Sequence, residues 1–230
     1  MYSRQVLGKE LTFGVSGKLV MNALVLYDRQ SDSLWSQILG EAIAGSMKGA
    51  KMEFVPALHT TWTDWKTRYP NTLALVKGYT QGNGVYSRYF QSTEAGVLGE
   101  SVIDNRLATK EFVIGVAHND HAVAYPFRQL SQEPVVNDRI GEMAVLVVFN
   151  AETGAGVVFN RQIGHGRTLT FKVKEGQMLV DEETGSTWDG ISGQAISGEL
   201  AGEQLQRLKS TAAFWFGWKD WYPHTQVYGK

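Results

Sequence analysis

The sequence predicts a mainly β (α+β) protein made of two pseudo-symmetric β-rich units, each carrying a short tryptophan-bearing helix. Three observations predict this fold. A 45-residue stretch of the chain occurs twice. Apolar runs enriched in Val, Ile and Phe recur between turn residues, as they do in buried strands. The 25 glycines suit a chain with many tight turns.

The internal repeat is the strongest of these observations. Residues 28–72 align with residues 181–225 without a gap, and 15 of the 45 positions are identical. The identical pairs include rare residue types: Asp28/Asp181, Ser33/Ser186, Trp35/Trp188, Gly40/Gly193, Gly45/Gly198, Trp62/Trp215, Trp65/Trp218 and Tyr69-Pro70/Tyr222-Pro223. After a small gap, two upstream segments also align: Arg4 with Arg161, and Leu11-Thr12-Phe13 with Leu169-Thr170-Phe171. Self-similarity of this kind indicates duplication.

The repeat also predicts the domain organisation. Residues 1–78 form a partial first copy, and residues 79–230 form a second copy with an N-terminal connecting segment. Because Tyr2 aligns with Phe159, residues 79–158 have no counterpart ahead of the first copy. A β-rich unit cut in this way exposes unpaired strand edges, which proteins normally cover. We therefore expect that a partner chain completes the first copy, that the middle segment serves both halves, or that the chain is a fragment.

Three apolar segments predict buried strands. Residues 19–27 are apolar with few breaks and end at Asp28, which indicates a single buried strand running into a turn. Residues 111–117 and 144–149 show the same pattern. Asn119-Asp120, between two short apolar runs, predicts the tip of a hairpin.

Two short helices are predicted, one in each copy. The first covers residues 61–68, where Thr61 caps the N-terminus and Pro70 ends the helix. Two tryptophans three residues apart share one face of this helix. The second helix covers residues 213–221. We expect each copy to be a β-rich body with one such helix.

Composition excludes several classes of function. The formal net charge is −1, so the chain lacks the basic excess that nucleic-acid phosphates require. Without cysteine it has no disulfide, thiolate nucleophile or sulfur-ligated metal. No run approaches the roughly 20 apolar residues that span a membrane, and no apolar signal-peptide region follows Met1. We expect a soluble protein whose compartment the sequence does not specify.

Polar residues present in only one copy are the candidates for a functional site. Four of them lie in the first copy and are matched by Asp189, Gly190, Gln194 and Ala212 in the second: Ser36, Gln37, Glu41 and His59. A hydroxyl, an imidazole and a carboxylate are the parts of an activated-nucleophile hydrolase. We therefore predict Ser36, Glu41 and His59 as catalytic residues if the protein is an enzyme. Ser36 lies in no Gly-x-Ser-x-Gly elbow, so a polar strand face is the alternative interpretation.

Four residues are predicted to bind a ligand: Ser16, Trp35, Gln37 and Trp188. Ser16 has no clear counterpart in the second copy, and the tryptophans offer aromatic rings for stacking. Because they occur in both copies, the tryptophans are also candidates for core anchors. We predict no cofactor and no metal site. The alternative is a weakly bound divalent cation at the hairpin tip, held by His118, Asp120 and His121.

Several segments resemble a known family. The segments that carry the resemblance are Leu11-Thr12-Phe13-Gly14-Val15-Ser16-Gly17-Lys18-Leu19, Tyr27-Asp28-Arg29, Ser33-Leu34-Trp35-Ser36-Gln37, Gly40-Glu41-Ala42-Ile43 with Gly45, and Trp62-x-x-Trp65 followed by Tyr69-Pro70. The likeness continues through Tyr79, Tyr86, Tyr89, Arg106-Leu107, Lys110-Glu111 and Ala124-Tyr125-Pro126. Together these segments resemble the bacterial and archaeal domain of unknown function 3179 family over nearly the whole chain.

The resemblance implies a fold and no activity. It also implies a front portion before the first copy, with a Cys-Pro-Leu-Cys-like segment that this chain lacks. A further departure is in Ser131-Gln132-Glu133, where the family's histidine position holds Gln132 ahead of Asn137-Asp138. The resemblance therefore carries no role of that histidine over to this copy.

Two functions from different classes follow from these observations. The first is a noncatalytic module that binds a small molecule or assembles with another copy of the chain, through an aromatic-rich cleft between the repeat copies. Assembly with another copy would give a homo-oligomer. The alternative is a hydrolase of small esters or lactones, cation-assisted, with its site in the first copy.

Overall fold

The protein is mainly β. The structure, a computed structural model, describes residues 1–76 and 87–230, and 41% of the residues are in strands and 11% in helices. The predicted mainly β class is therefore confirmed. The predicted domain boundary between residues 78 and 79 lies outside the described residues, as do Tyr79 and Tyr86.

Short strands and helices alternate with turns along the described residues. The strands are β1 (Gln5–Val6), β2 (Lys9–Glu10), β3 (Phe13–Val20), β4 (Ala23–Asp28), β5 (Leu34–Ser36), β6 (Glu41–Ala44), β7 (Phe112–His118), β8 (His121–Pro126), β9 (Val135–Ile140), β10 (Met143–Asn150), β11 (Ala155–Asn160), β12 (Gln162–Ile163), β13 (Arg167–Thr168), β14 (Phe171–Glu175), β15 (Met178–Asp181), β16 (Thr187–Asp189), β17 (Ala195–Ser197), β18 (Thr211–Phe214) and β19 (Gln226–Val227). The helices are α1 (Trp62–Arg68), α2 (Ser87–Gln91), α3 (Phe127–Leu130) and α4 (Trp215–Trp221), and a 3-10 turn covers Gly164–Gly166.

The chain forms two compact units, each assembled from separate stretches of sequence. The first unit contains Met1–Ala57, Glu94–Lys110 and Phe214–Pro223. The second unit contains Leu58–Thr93, Glu111–Ala213 and His224–Lys230. Helix α1 therefore belongs to the second unit, although it follows the sheet of the first unit in the sequence. Helix α4 follows the last sheet of the second unit and belongs to the first.

The first unit is built on one antiparallel sheet with the strand order β3-β4-β5-β6. A small apolar core lies against this sheet, formed by Val6, Leu11, Trp35, Ala42 and Met52. Trp35 is fully buried there, and Phe13 contacts its ring edge-on with the ring centroids 5.5 Å apart. The tryptophan is thus the largest side chain on which this sheet packs.

The structure corrects the prediction for residues 19–27. This stretch is not one strand, because a turn at Met21-Asn22 divides it between β3 and β4. Both turn residues have positive φ angles, 49° and 59°, as a type I′ hairpin turn requires. The Asn22 side chain accepts hydrogen bonds from the N–H groups of Val97 (2.9 Å) and Leu98 (2.8 Å). It donates to the Gly99 carbonyl, 2.6 Å away and 77 residues later, so the turn depends on a distant segment.

The second unit contains a three-stranded sheet of order β11-β10-β9 with an apolar core on each face. Alternate residues of β10 enter the two cores: Val145, Val147 and Phe149 pack with residues of β7 and β8, and Leu146 and Val148 pack with residues of β14 to β17. Burial on both faces explains the unbroken apolar run and confirms the predicted strand. The predicted strand over residues 111–117 is confirmed as β7, and His118 pairs with His121 across the predicted hairpin tip.

The sheet β14-β15-β16-β17 of the second unit repeats contacts seen in the first unit. The Trp35 indole N–H donates to an Asp28 carboxylate oxygen at 2.9 Å, and the Trp188 indole N–H donates to Asp181 at 2.8 Å. The edge-on phenylalanine contact also recurs, with the rings of Phe171 and Trp188 5.6 Å apart. Matched positions of the sequence therefore make matched contacts in the two sheets.

The two tryptophan-bearing helices differ in burial. The predicted helix over residues 61–68 is confirmed as α1, with the Thr61 hydroxyl accepting a hydrogen bond from the Asp64 N–H at 3.2 Å. Helix α4 begins two residues later than predicted. No residue of α1 is buried, whereas α4 buries Trp215, Phe216, Trp218, Lys219 and Asp220. Within the described ranges, none of the helices has the length and hydropathy needed to cross a bilayer.

Candidate functional site

Two of the predicted catalytic residues lie side by side in the first unit. Ser36 on β5 pairs directly with Glu41 on β6. Ser36 is 1% exposed, and its hydroxyl oxygen accepts a hydrogen bond from the Leu39 N–H at 3.3 Å. His59 is exposed and belongs to the second unit. A nucleophile needs an accessible oxygen and a base within hydrogen-bond reach, and the buried Ser36 hydroxyl stabilises its own turn.

The predicted binding residues Ser16 and Gln37 also lie in the first unit. The Ser16 hydroxyl donates to the Val25 carbonyl at 2.6 Å, within an irregularity of the β3-β4 pairing. Val25 in turn pairs with Ser36, so Ser16 and Ser36 lie in one row across the sheet. Gln37 follows β5 and has an exposed side chain.

The two predicted ligand-binding tryptophans are core residues in the structure. Trp35 and Trp188 are each 0% exposed, and each indole N–H is bonded to an aspartate of the same unit. Burial raises and hydrogen bonds lower the pKa of Asp28, and the bonds from Trp35 and Ser31 outweigh burial, so the pKa is lowered. The aspartate is therefore held ionised beneath the indole.

The hairpin tip gives little support to the alternative cation site. His118 ends β7 and His121 begins β8, with Asp120 in the turn between them. The His121 ring packs against Gly141, where an added Cβ would lie 2.8 Å from the ring. Among residues 1–76 and 87–230, no three metal-ligating side chains converge into a group that could hold a metal ion.

A difference in burial between the two units lies on the sheet face that carries the buried tryptophan, here called the tryptophan face. In the first unit Leu26, Trp35 and Ala42 are cross-strand neighbours on this face. In the second unit the matched residues are Leu179, Trp188 and Ala195. Directly opposite residues of antiparallel strands point to the same side, so each set lines one face.

In the second unit the three-stranded sheet covers the tryptophan face. Leu146 and Val148 of β10 and Val157 and Phe159 of β11 share one core with Trp188. Four matched pairs show what this cover does: Phe171/Phe13, Leu179/Leu26, Ile191/Ile38 and Phe159/Tyr2. In the second unit these four residues are at most 4% exposed. Their counterparts in the first unit are only half-buried.

The edge of the second sheet is closed by an asparagine. On β9, Asn137 donates its side-chain amide to the Phe171 carbonyl and accepts from the Phe171 N–H, both at 2.8 Å. Phe171 can make these bonds because it occupies a position in β14 whose polar groups point away from β15. The neighbouring pair shows this, since the Thr170 carbonyl accepts a hydrogen bond from the Glu182 N–H at 2.9 Å.

The matched edge of the first sheet has no such asparagine. The Thr12 carbonyl accepts from the Arg29 N–H at 2.8 Å, so the polar groups of Phe13 point away from β4 in the same manner. In the described parts of the chain, no side chain forms a hydrogen bond to the Phe13 backbone. Val15, two residues further along this edge, is 66% exposed. We call the half-buried residues Tyr2, Phe13, Leu26 and Ile38, together with this backbone edge, the open face.

The matched arginines Arg161 and Arg4 have different electrostatic surroundings in the two units. In the second unit, burial and then Arg139 lower the pKa of Arg161, while Glu183 and Asp138 act to raise it. The Arg161 N–H also donates to the Ala144 carbonyl of β10 at 3.1 Å. The matched residue Arg4 instead forms an ion pair with Glu10 at 2.7 Å, with both side chains more than half exposed.

At one position next to the tryptophan face, the two units carry different residue types. Gly190 of the second unit lies close to Val148, and a Cβ added there would be 3.1 Å from the valine methyl group. Its counterpart in the first unit is Gln37, whose side chain is exposed. Anything that covers the open face must leave room for this glutamine.

Sequence reasoning missed the residues of the open face. Phe13, Leu26 and Ile38 are ordinary apolar residues, and only the matched burial in the second unit distinguishes them. The repeat alignment was the signal that could have found them, because it pairs each one with a residue of the second unit. Asn137 stood out in the sequence only as part of an Asn-Asp pair.

The fold and these contacts define the class of protein. It is a mainly β protein of two compact units, each with a four-stranded sheet built around a buried tryptophan. The chain belongs to the family described as "Protein of unknown function (DUF3179)", whose family model matches residues 1–225. The resemblance predicted from the sequence is thereby confirmed. No curated protein and no solved structure matches the chain.

Proposed function

We propose that the protein is a noncatalytic assembly module, in which the open face of the first unit binds another polypeptide. One observation carries this proposal. Tyr2, Phe13, Leu26 and Ile38 are half-buried, whereas their four counterparts are buried beneath a sheet in the second unit. The same residue pattern thus exists in a covered and an uncovered form within one chain.

Physical chemistry favours covering this face. Completing the burial of a leucine, isoleucine or aromatic side chain that is already mostly buried contributes less than about 1 kcal/mol, so four such residues contribute on the order of 2 kcal/mol. An open sheet edge adds unpaired N–H and C=O groups, which readily pair with another chain. Apolar burial and strand pairing are properties of polypeptide partners, and they favour assembly over binding of a small polar ligand.

Site-specific photocrosslinking in living cells tests the proposal. A photoreactive amino acid at Val15, on the edge of the first sheet, is compared with one at Val173, on the edge of the second sheet. Both positions are exposed, at 66% and 47%. We expect a discrete polypeptide adduct from position 15 at several times the yield from position 173. Equal yields at the two positions, or no adduct at either, would contradict an assembly function of the open face.

We also propose that residues 1–78 and 79–230 derive from one duplicated unit. The matched indole–aspartate and phenylalanine–tryptophan contacts support this origin. An experimental structure tests it by superposition of residues 28–57 on residues 181–210. Common ancestry requires Trp35 and Trp188 to coincide in that superposition, and unrelated surroundings for the two indoles would exclude it.

A further inference from the structure

We infer that the open face binds a three-stranded antiparallel sheet of the β9-β10-β11 type, presented by another polypeptide with an asparagine on its first strand. This inference rests on the proposed function and specifies the partner. The occupant is defined by the second unit, where such a sheet covers the matched face. Three features of the first unit determine its chemistry.

The first feature is the hydrogen-bonding capacity of Phe13. Its N–H and C=O point outwards from the edge of β3, as those of Phe171 do from β14. A carboxamide carries its acceptor and its donor on separate atoms, so it can bond the N–H and the C=O of one residue at once, and Asn137 does so with Phe171. The first strand of the occupant therefore carries an asparagine opposite Phe13.

The second feature is the backbone at Arg4, which matches Arg161. In the second unit the Arg161 N–H donates to the Ala144 carbonyl of β10 at 3.1 Å. The middle strand of the occupant therefore presents a carbonyl oxygen to the backbone of Arg4.

The third feature is the space beside Gln37. In the second unit, a Cβ added at Gly190 would lie 2.7 Å from the Gln177 carbonyl and 3.1 Å from the Val148 methyl group of β10. Gln37 carries a Cβ at the matched position, so a valine on the occupant's middle strand would have to shift slightly to fit beside it. A smaller residue at this point of the middle strand fits without that shift. The partner is thus related to β9-β10-β11 in pattern without being identical to it.

The inference is tested with the full chain extended at its N-terminus by a second copy of residues 111–157. Because Val158 aligns with Met1, this extension places the added β9, β10 and β11 in register ahead of the first sheet. It starts at residue 111 so that the added β7 and β8 cover the other face of the new sheet. The Gln37→Gly substitution is included, because the added sheet contains the natural Val148.

The measurement is hydrogen exchange of the Phe13 amide in the extended and unextended chains. We expect exchange in the extended chain to slow by about tenfold or more, as a new hydrogen bond requires. The matched control carries Asn137→Ala in the added copy only, and we expect Phe13 exchange to return to the rate of the unextended chain. Slow exchange that survives this control, or unchanged exchange in a folded extension, would overturn the inference.

A second measurement does not depend on folding of the extension. The polypeptide crosslinked to position 15 is mapped by mass spectrometry, and we expect an asparagine in the strand that carries the adduct. A crosslinked segment without an asparagine contradicts this inference and leaves the assembly function standing. Absence of any adduct contradicts the assembly function itself. If the purified chain sediments as a dimer with a protected Phe13 amide, the occupant is a second copy and the inference is wrong.

Discussion

The tryptophan faces of the two units carry matched residues in different degrees of burial. In the second unit Leu179 and Phe171 are each 1% exposed beneath the three-stranded sheet. In the first unit Leu26 and Phe13 are half-buried. The indoles themselves are equally buried, and each is bonded to its aspartate. The local network around the tryptophan is therefore complete in both units, and the difference lies in the layer above it.

The two tryptophan-bearing helices show a similar contrast. Trp215 of α4 is 0% exposed, its indole N–H donates to the Asp104 carbonyl at 3.0 Å, and the Arg106 guanidinium lies 5.3 Å from its ring. The matched Trp62 of α1 is 53% exposed. The Trp-x-x-Trp pattern thus makes a helix in both places. The segment over residues 100–106 helps to bury α4, because Trp215, Lys219 and Asp220 form hydrogen bonds to its backbone.

The largest expected effect tests this contrast between helices. Replacing Trp215 with alanine empties a buried site and should lower the free energy of unfolding by about 4 kcal/mol. Replacing Trp62 with alanine removes an exposed ring and should cost less than about 1 kcal/mol. Urea denaturation of both variants and the natural chain measures the difference. Equal losses would show that the matched helices are equivalent in stability, contrary to their burial.

The sequence predicted features formed by neighbouring residues better than it predicted contacts between distant segments and packed sheets. The α1 cap at Thr61 and the hairpin tip at Asn119-Asp120 follow from residues within a few positions of each other, and both were predicted. The Met21-Asn22 turn was missed because the groups that hold Asn22 lie 75 to 77 residues later in the chain. The open face was missed for a related reason, since it appears only when a covered counterpart is compared with it.

A second prediction concerns the aspartates beneath the two indoles. Asp28 accepts hydrogen bonds from Trp35 (2.9 Å) and from the N–H (2.6 Å) and hydroxyl (2.7 Å) of Ser31. Asn at this position turns one acceptor into a donor that faces other donors, so Asp28→Asn should cost about 2 to 3 kcal/mol. Asp181→Asn should cost the same in urea denaturation at neutral pH, because Thr184 and Trp188 provide matched donors. A much smaller loss at either aspartate would contradict the matched network.

The lowered pKa of Asp28 gives this prediction a pH dependence. Since the folded-state pKa lies below the ordinary value of 3.8, the unfolded chain takes up the proton first as pH falls. The contribution of Asp28 to stability is therefore complete above pH 3.8 and is lost as pH falls through the folded-state pKa. Denaturation between pH 7 and pH 3 should show this loss in the natural chain and a weaker loss in Asp28→Asn.

A third prediction concerns Asn137, whose replacement should leave the edge strand β14 of the second unit as open as β3 of the first. Asn137→Ala removes both hydrogen bonds to the Phe171 backbone and should destabilise the chain by about 2 kcal/mol. Exchange of the Phe171 amide should then approach the rate of the Phe13 amide. The control Asn137→Asp keeps the acceptor for the N–H but sets a carboxylate against the Phe171 carbonyl, so it should not restore stability. If Phe171 exchange is unchanged in Asn137→Ala, the asparagine does not close that edge.

The smallest expected effect is at Tyr2, which matches the buried Phe159. Its hydroxyl donates to the Ile38 carbonyl at 3.1 Å, and burial followed by the nearby Tyr222 raises its pKa to about 12. Tyr2→Phe should cost about 1 kcal/mol at pH 8, the value of one ordinary hydrogen bond.

Because the unfolded phenol ionises first, near pH 10, the contribution of Tyr2 to stability is full below that pH and is lost as pH rises to about 12. Urea denaturation at pH 8 and pH 11 should therefore show a smaller alkaline loss in Tyr2→Phe than in the natural chain. An identical loss of stability at alkaline pH in both chains would mean that the Tyr2 side chain is as exposed to solvent as in the unfolded chain. Tyr2 would then not belong to the half-buried residues of the open face.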